Sequence, residues 1–188
     1  MATQTKIPRV VSEDLPSNPF AFEVLALVAK QKSNAKKAEI LKKYAHPSLT
    51  TILIWNFDET IVSELPEGLV PYGSVSQQNV SSGNLSDNIN RAVEMMDELH
   101  SNSIGSQDQG RTSIRQEYTY FYNFVKGGND RLSNRKREMM FINILEGLHP
   151  LEAEILILVK DKKLQTKYNI TKQNVSDAYP DIQWGGRS

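Results

Sequence analysis

The chain has 188 residues, no cysteine, and basic and acidic side chains in equal number, 22 of each. That length suits a single domain able to bury a core without covalent staples. The absence of cysteine excludes disulfides, thiolate nucleophiles and thiolate-bound zinc or iron–sulfur centres, and no apolar run approaches the ~18 residues of a membrane span.

In chain order, residues 1–18 are polar, carry Pro8 and Pro16, lack the apolar core of a signal peptide, and read as a flexible arm. "NPFAFEVLALVAKQK" then predicts a helix, with Asn18 as cap, Pro19 in the first helical position, and Phe20, Val24, Leu27 and Val28 at helical spacing. "SNAKKAEILKKYA" predicts a second helix capped by Ser33 or Asn34. It turns Ile40, Leu41 and Tyr44 inward and Lys36, Lys37, Lys42 and Lys43 outward, and its tight link to the first implies an antiparallel pair. "HPSLTTILIWNF" predicts a third helix from Pro47 that buries Leu49, Ile52, Leu53 and Trp55 or Phe57, although its β-branched content also suits a strand.

From about 66 to 112 the composition shifts to Pro, Gly, Ser, Asn and Gln, as in "GSVSQQNVSSGN", which predicts a long polar insertion. Within it, "LSDNINRAVEMMDELHSN" places Ile89, Val93, Met96 and Leu99 on one stripe, predicting an amphipathic helix at 86–101. "TSIRQEYTYFYNFVKGG" predicts a helix with Ile114, Tyr118, Phe121 and Val125 on one face, closed by Gly127 and Gly128 in a left-handed cap. Asn134 is placed to cap "RKREMMFINILEGL", with Met140, Phe141, Ile144, Leu145 and Leu148 inward. His149 and Pro150 break that helix, Pro150 opens "LEAEILILVKDKKL", and Thr171 caps "KQNVSDAYP". The expected architecture is all-α: one compact domain over 19–182 of about seven or eight helices, interrupted by the insertion and followed by a tail at 183–188.

Catalytic signatures are missing from the sequence. His46, His100 and His149 are scattered and none shares a helix with a second ligand at metal spacing; they read as caps or surface residues. No phosphate-binding glycine loop occurs, and the adjacent Asp58 and Glu59 read as solvent-facing acids because neighbours on a helix do not converge. The expectation is a protein that is not an enzyme and needs no metal or cofactor.

Charge is segregated along the chain. Residues 1–50 carry 8 basic and 4 acidic side chains, residues 51–110 carry 1 and 9, and residues 111–188 carry 13 and 9. If the two basic ends fold together they present a cationic face, the footprint expected of nucleic-acid binding. Arg131, Arg135, Lys136 and Arg137 bracket one helix start, where cations oppose the dipole. Lys160, Lys162, Lys163 and Lys167 bracket the turn before the Thr171 helix, whose free N–H groups suit phosphate.

The segment "EAEILILVKDKKLQTKYNITKQNVSDAYPDI" resembles the end of the N-terminal DNA-binding helical domain of ATP-dependent DNA ligases, and "KKAEILKKY" resembles a helix near its opening. The chain from 19 to 182, apart from 70–110, also resembles an uncharacterised protein family of large T4-like tailed bacteriophages of the cyanophage type, through "FVKGG", "REMMFINILE" and "KDKKL". The ligase resemblance implies that Lys160, Lys162, Lys163, Thr171 and Lys172 approach a DNA backbone. Two departures from ligases stand out: "QTKYN" replaces the turn glycine, and no adenylation motif occurs, so the ligase reaction is not implied.

These readings converge on a non-catalytic phage accessory protein of the host cell cytoplasm, with no membrane partner, that binds duplex DNA in replication, repair or transcription. The expected interface is Lys36, Lys37, Arg135, Lys136, Arg137, Lys160, Lys162, Lys163, Lys167, Thr171 and Lys172. The alternatives are a factor that docks its 86–101 helix on a phage or host replication or transcription protein, and a virion component.

Overall fold

The structure, a computed structural model, describes residues 14–68, 70 and 110–187. Most of the expected N-terminal arm, the core of the polar insertion, the 86–101 helix and His100 lie outside the described residues. Among the described residues there are seven α-helices and no strand, only an isolated bridge between Ser63 and Val125. The all-α expectation holds.

The helices are α1 (Ala21–Lys30), α2 (Asn34–Lys43), α3 (Pro47–Phe57), α4 (Ile114–Glu117), α5 (Asn134–Gly147), α6 (Pro150–Lys160) and α7 (Lys172–Ala178). Two 3₁₀ segments, Tyr118–Phe124 and Leu164–Thr166, complete the set. The most buried element is α6. Every residue from Leu151 to Ile157 is covered, so it forms the axis on which α1, α3 and α5 pack. Its apolar side chains join Leu25, Val28, Leu41, Ile52, Leu53, Phe121, Phe124, Phe141 and Tyr168 in one continuous core.

Several starts differ by a residue or two from the expectation. Asn18 does not cap α1; Phe20 holds that position, and the Glu23 carboxylate accepts from the Phe20 N–H at 2.8 Å. Ser133 rather than Asn134 caps α5, and its hydroxyl accepts from Lys136 N at 3.4 Å. His46 and His149 are both caps, accepting from Ser48 N and Leu151 N at 3.1 Å each, with a proline next in sequence. Thr171 and Asn174 satisfy each other's backbone N–H groups at 3.2 and 3.0 Å.

The expected helix over "TSIRQEYTYFYNF" is α-helical for only four residues and then tightens to 3₁₀. Aromatic and β-branched residues lose rotamer freedom in an α-helix, and three residues per turn instead stack Tyr118, Phe121 and Phe124 on one line toward the core. Phe124 therefore takes the inner position expected of Val125. Val125 turns extended, with Lys126 N donating to Val62 O and Glu64 N to Phe124 O, both at 2.8 Å.

Contacts at the helix ends fix their directions. Ala21 N and Ile114 N both donate to Glu152, so α1, α4 and α6 begin together. Lys162 Nζ donates to Trp55 O and Asp58 O, and Ser63 Oγ to Lys160 O, so α3 and α6 finish together. Arg137 pairs with Glu64, next to Ser63, which brings the start of α5 to that same end. Lys37 Nζ donates to Asn169 O and Asn174 Nδ2 to Asn34 Oδ1, which adds the starts of α2 and α7. One end of the bundle thus gathers the C-termini of α1, α3 and α6 and the N-termini of α2, α5 and α7.

Candidate functional site

This end of the bundle receives the cations of the expected interface, and the structure divides them into two groups. Five turn their charged groups onto acceptors of the protein itself. Lys160, 3% exposed, gives its three ammonium protons to Pro66 O (2.7 Å), Gly68 O (3.0 Å) and Asp161 Oδ1 (2.7 Å). Lys162, with φ of +56°, reaches back to Trp55 O and Asp58 O at 2.8 and 2.7 Å and satisfies the last carbonyls of α3. Burial lowers the Lys162 ammonium, against the opposing pull of Asp58 and Glu59.

Lys167 forms a covered ion pair with Glu154 at 2.6 Å; burial lowers its ammonium, and Glu154 opposes the shift. Lys37 donates to Asn169 O at 2.7 Å and ties α2 to the strand of chain entering α7. Arg137 is 2% exposed and gathers the loop before its own helix, donating to Asn123 O, Asn129 O, Leu132 O and Asn134 Oδ1 at 2.7–3.1 Å and pairing with Glu64 at 2.8 Å.

The second group stays at the surface. Lys36, Arg135 and Lys136 are exposed, with no ion pair among the described residues. Lys172 is exposed, its ammonium 4.9 Å from the Trp184 ring centroid, and Thr171 is exposed beside it. Lys163 makes one loose contact with Glu67 at 3.3 Å between two exposed side chains, the sort of pair worth little. Lys30 and Lys32, at and just after the end of α1, lie at this end too and were not singled out in the sequence.

Lys36, Arg135, Lys136 and Lys172 sit where helices do not need them. The first turns of α2, α5 and α7 contain no acid, and each holds lysine or arginine beside the positive end of the dipole. An arriving anion meets the positive ends of the helix dipoles and side-chain cations of the same sign, so the arrangement is suited to phosphate.

Of the two adjacent acids read as solvent-facing, Glu59 is exposed and Asp58 is not. Asp58 is 1% exposed rather than solvent-facing, and it anchors the end of the chain. It accepts from Thr60 N (2.9 Å), Thr60 Oγ1 (2.7 Å), Gly185 N (3.0 Å) and Arg187 Nη1 (2.5 Å), so the residues read as a tail are pinned over the end of α3. Burial alone would raise this carboxyl, but the bonds from Thr60, Gly185 and Arg187 outweigh it and hold the group far below the usual carboxylate range. At the opposite end Glu152 is buried under Ala21 and Ile114. Burial lifts it to about 7 against those two N–H donors.

Among the described residues no three acids or histidines gather in a way that could hold a metal ion, and no helix is long and apolar enough to cross a membrane. The model of a family of unknown function, DUF6433, matches residues 24–96 and 99–166, well over half of the chain, and the chain belongs to that family. No curated protein and no solved structure matches it.

Proposed function

We propose that this DUF6433 member is a non-catalytic accessory protein of a tailed bacteriophage, one that binds the backbone of duplex DNA through the cationic end of its bundle during replication, repair or transcription. The observation that carries the reading is the placement of exposed Lys36, Arg135, Lys136 and Lys172 on the starts of α2, α5 and α7, none of which has a first-turn acid. A cation there costs each helix about 0.3–1 kcal/mol of dipole energy, so stability does not account for it, whereas a bound phosphate reverses the sign.

Phosphate contacts of this kind position a protein on DNA without reading its sequence, so affinity should be nearly independent of sequence. The ligase-like turn keeps a role in this reading, with its duties divided. Lys160, Lys162 and Lys167 set the shape of the turn, and Lys163, Thr171 and Lys172 face outward from it.

Fluorescence anisotropy with labelled duplexes of unrelated sequence tests the proposal. The combined variant Lys36→Ala, Arg135→Ala, Lys136→Ala, Lys172→Ala should lose most of the affinity for all duplexes alike. Lys42→Ala, an exposed cation at the far end of α2, should bind as the wild type does. Equal loss in the two, or no wild-type binding at low salt, contradicts the proposal.

A further inference from the structure

The exposed cations of the proposed DNA interface continue, at Lys136, into an open groove of about 510 Å³ along α5. Tyr120 and Met139 line it and are 51% and 55% exposed. Three residues per turn send Tyr118, Phe121 and Phe124 toward the core, which leaves the Tyr120 ring facing outward. An aromatic ring and a thioether left open in one groove mark a binding surface.

The two ends of the groove carry opposite charge. Lys136 stands in the first turn of α5, exposed and with no ion pair among the described residues. Glu117 lies at the far end: its Oε1 accepts from Thr112 Oγ1 at 2.7 Å, and Thr112 N donates to Gly147 O, where α5 finishes. The second Glu117 oxygen and the exposed Asn143 amide have no hydrogen-bond partner among the described residues. From Lys136 to Ile144, the last α5 residue of the lining, the helix rises about 12 Å. That is close to the length of one nucleotide from its phosphate to the far edge of its base.

A nucleotide presents its groups in this same order: an anion at one end, a flat apolar face in the middle, and hydrogen-bond donors at the far edge. Lys136 suits the phosphate, and the open Tyr120 ring and Met139 thioether suit the face of the base. Glu117 suits an amino group, as carboxylates accept from cytosine N4. The same carboxylate repels phosphate, so it fixes the direction in which a strand lies. Inside a duplex the faces of a base are stacked and its pairing edge is occupied, so only an unpaired base can enter.

We propose that the groove along α5 holds one unpaired, amino-bearing base of a DNA strand, with its phosphate at Lys136, its ring against Tyr120 and Met139, and its amino edge at Glu117. The inference rests on the DNA-binding reading and sharpens its substrate: a duplex that adjoins a single-stranded segment, as intermediates of replication and repair do.

Anisotropy titrations of the full chain at low salt, with a blunt duplex and with the same duplex carrying a short cytosine overhang, test the proposal. The wild type should bind the overhang form roughly 10-fold more tightly, as one stacked base provides. Tyr120→Ser should lose that gain and keep wild-type affinity for the blunt duplex, which also reports an intact fold. A thymine overhang, which has no amino group, should gain less in the wild type, and Glu117→Ala should remove the difference between the two bases. Blunt-duplex binding with no cytosine gain would overturn the proposal, leave the DNA reading in place and assign the groove to a protein partner. A gain that survives Tyr120→Ser, or one equal for cytosine and thymine, would also overturn it. No binding to any of the duplexes would overturn both readings together.

Discussion

Glu152 joins three segments of chain through one carboxylate, and this makes it the residue on which the fold's pH dependence turns. Its pKa is about 7 in the folded protein and near 4.5 when exposed, because burial penalises the charged form more than the Ala21 and Ile114 N–H groups favour it. For a carboxyl raised on folding, the stabilisation is complete below pH 4.5 and is lost as pH rises from 4.5 to 7, on the order of 3 kcal/mol by linkage. His46, lowered by burial and by Arg115, changes stability in the opposite sense below about 6.5. Urea denaturation at pH 5 and pH 8 should show wild-type stability losing this contribution at pH 8, and Glu152→Gln should remove that component of the pH dependence. Arg137 works by the same logic with the charge reversed. Arg137→Met strands Glu64 and three loop carbonyls, at an expected cost of about 3–5 kcal/mol in a denaturant titration. Neither residue was marked in the sequence as structural. A run such as "RKR" or "KDKK" shows charge and not depth, and whether a lysine faces water or a carbonyl depends on chain more than 90 residues away, as with Lys160 and Pro66.

Elements were far more legible than single side chains, because capping and periodicity are local. His46–Pro47, His149–Pro150 and Thr171 mark helix starts by residue type alone, and each does so in the structure. The segment 114–124 was misread in kind, since spacings of three and four residues fit Tyr118 and Phe121 equally well; only packing against Trp55 and Phe141 decides in favour of Phe124. The two glycines that follow do different work from the cap expected of them. Gly127 turns the chain at φ +80°, while Gly128 lies so close to the Tyr122 carbonyl that a Cβ would overlap it at 1.8 Å. Gly128→Ala should accordingly destabilise the protein by about 1–3 kcal/mol, as overpacking does, measured as a lowered midpoint in thermal unfolding. Dimension also hid from the sequence reading: α1 and α6 carry nearly continuous apolar runs that suit burial on all sides, and only the assembled bundle reveals α6 as its axis.

At the scale of the molecule, net neutrality conceals an uneven distribution. The basic N-terminal and C-terminal thirds meet at one end of the bundle through the Lys37–Asn169 and Asn34–Asn174 bonds, as charge segregation along the chain suggested. Much of that charge is turned inward, however, to close the ends of α3, α5 and α6. The remaining exposed set of Lys36, Arg135, Lys136, Lys163 and Lys172 is smaller than the sequence implied, and all but Lys163 stand on helix starts that lack acids. The central claim, that this set meets DNA phosphates, is tested most directly by the salt dependence of duplex binding in anisotropy titrations of the wild type and the Lys36, Arg135, Lys136, Lys172 alanine variant. Each phosphate contact contributes about 0.9 to the slope of log affinity against log salt, so the variant's slope should be shallower by about three to four. Parallel slopes for the two proteins would contradict it.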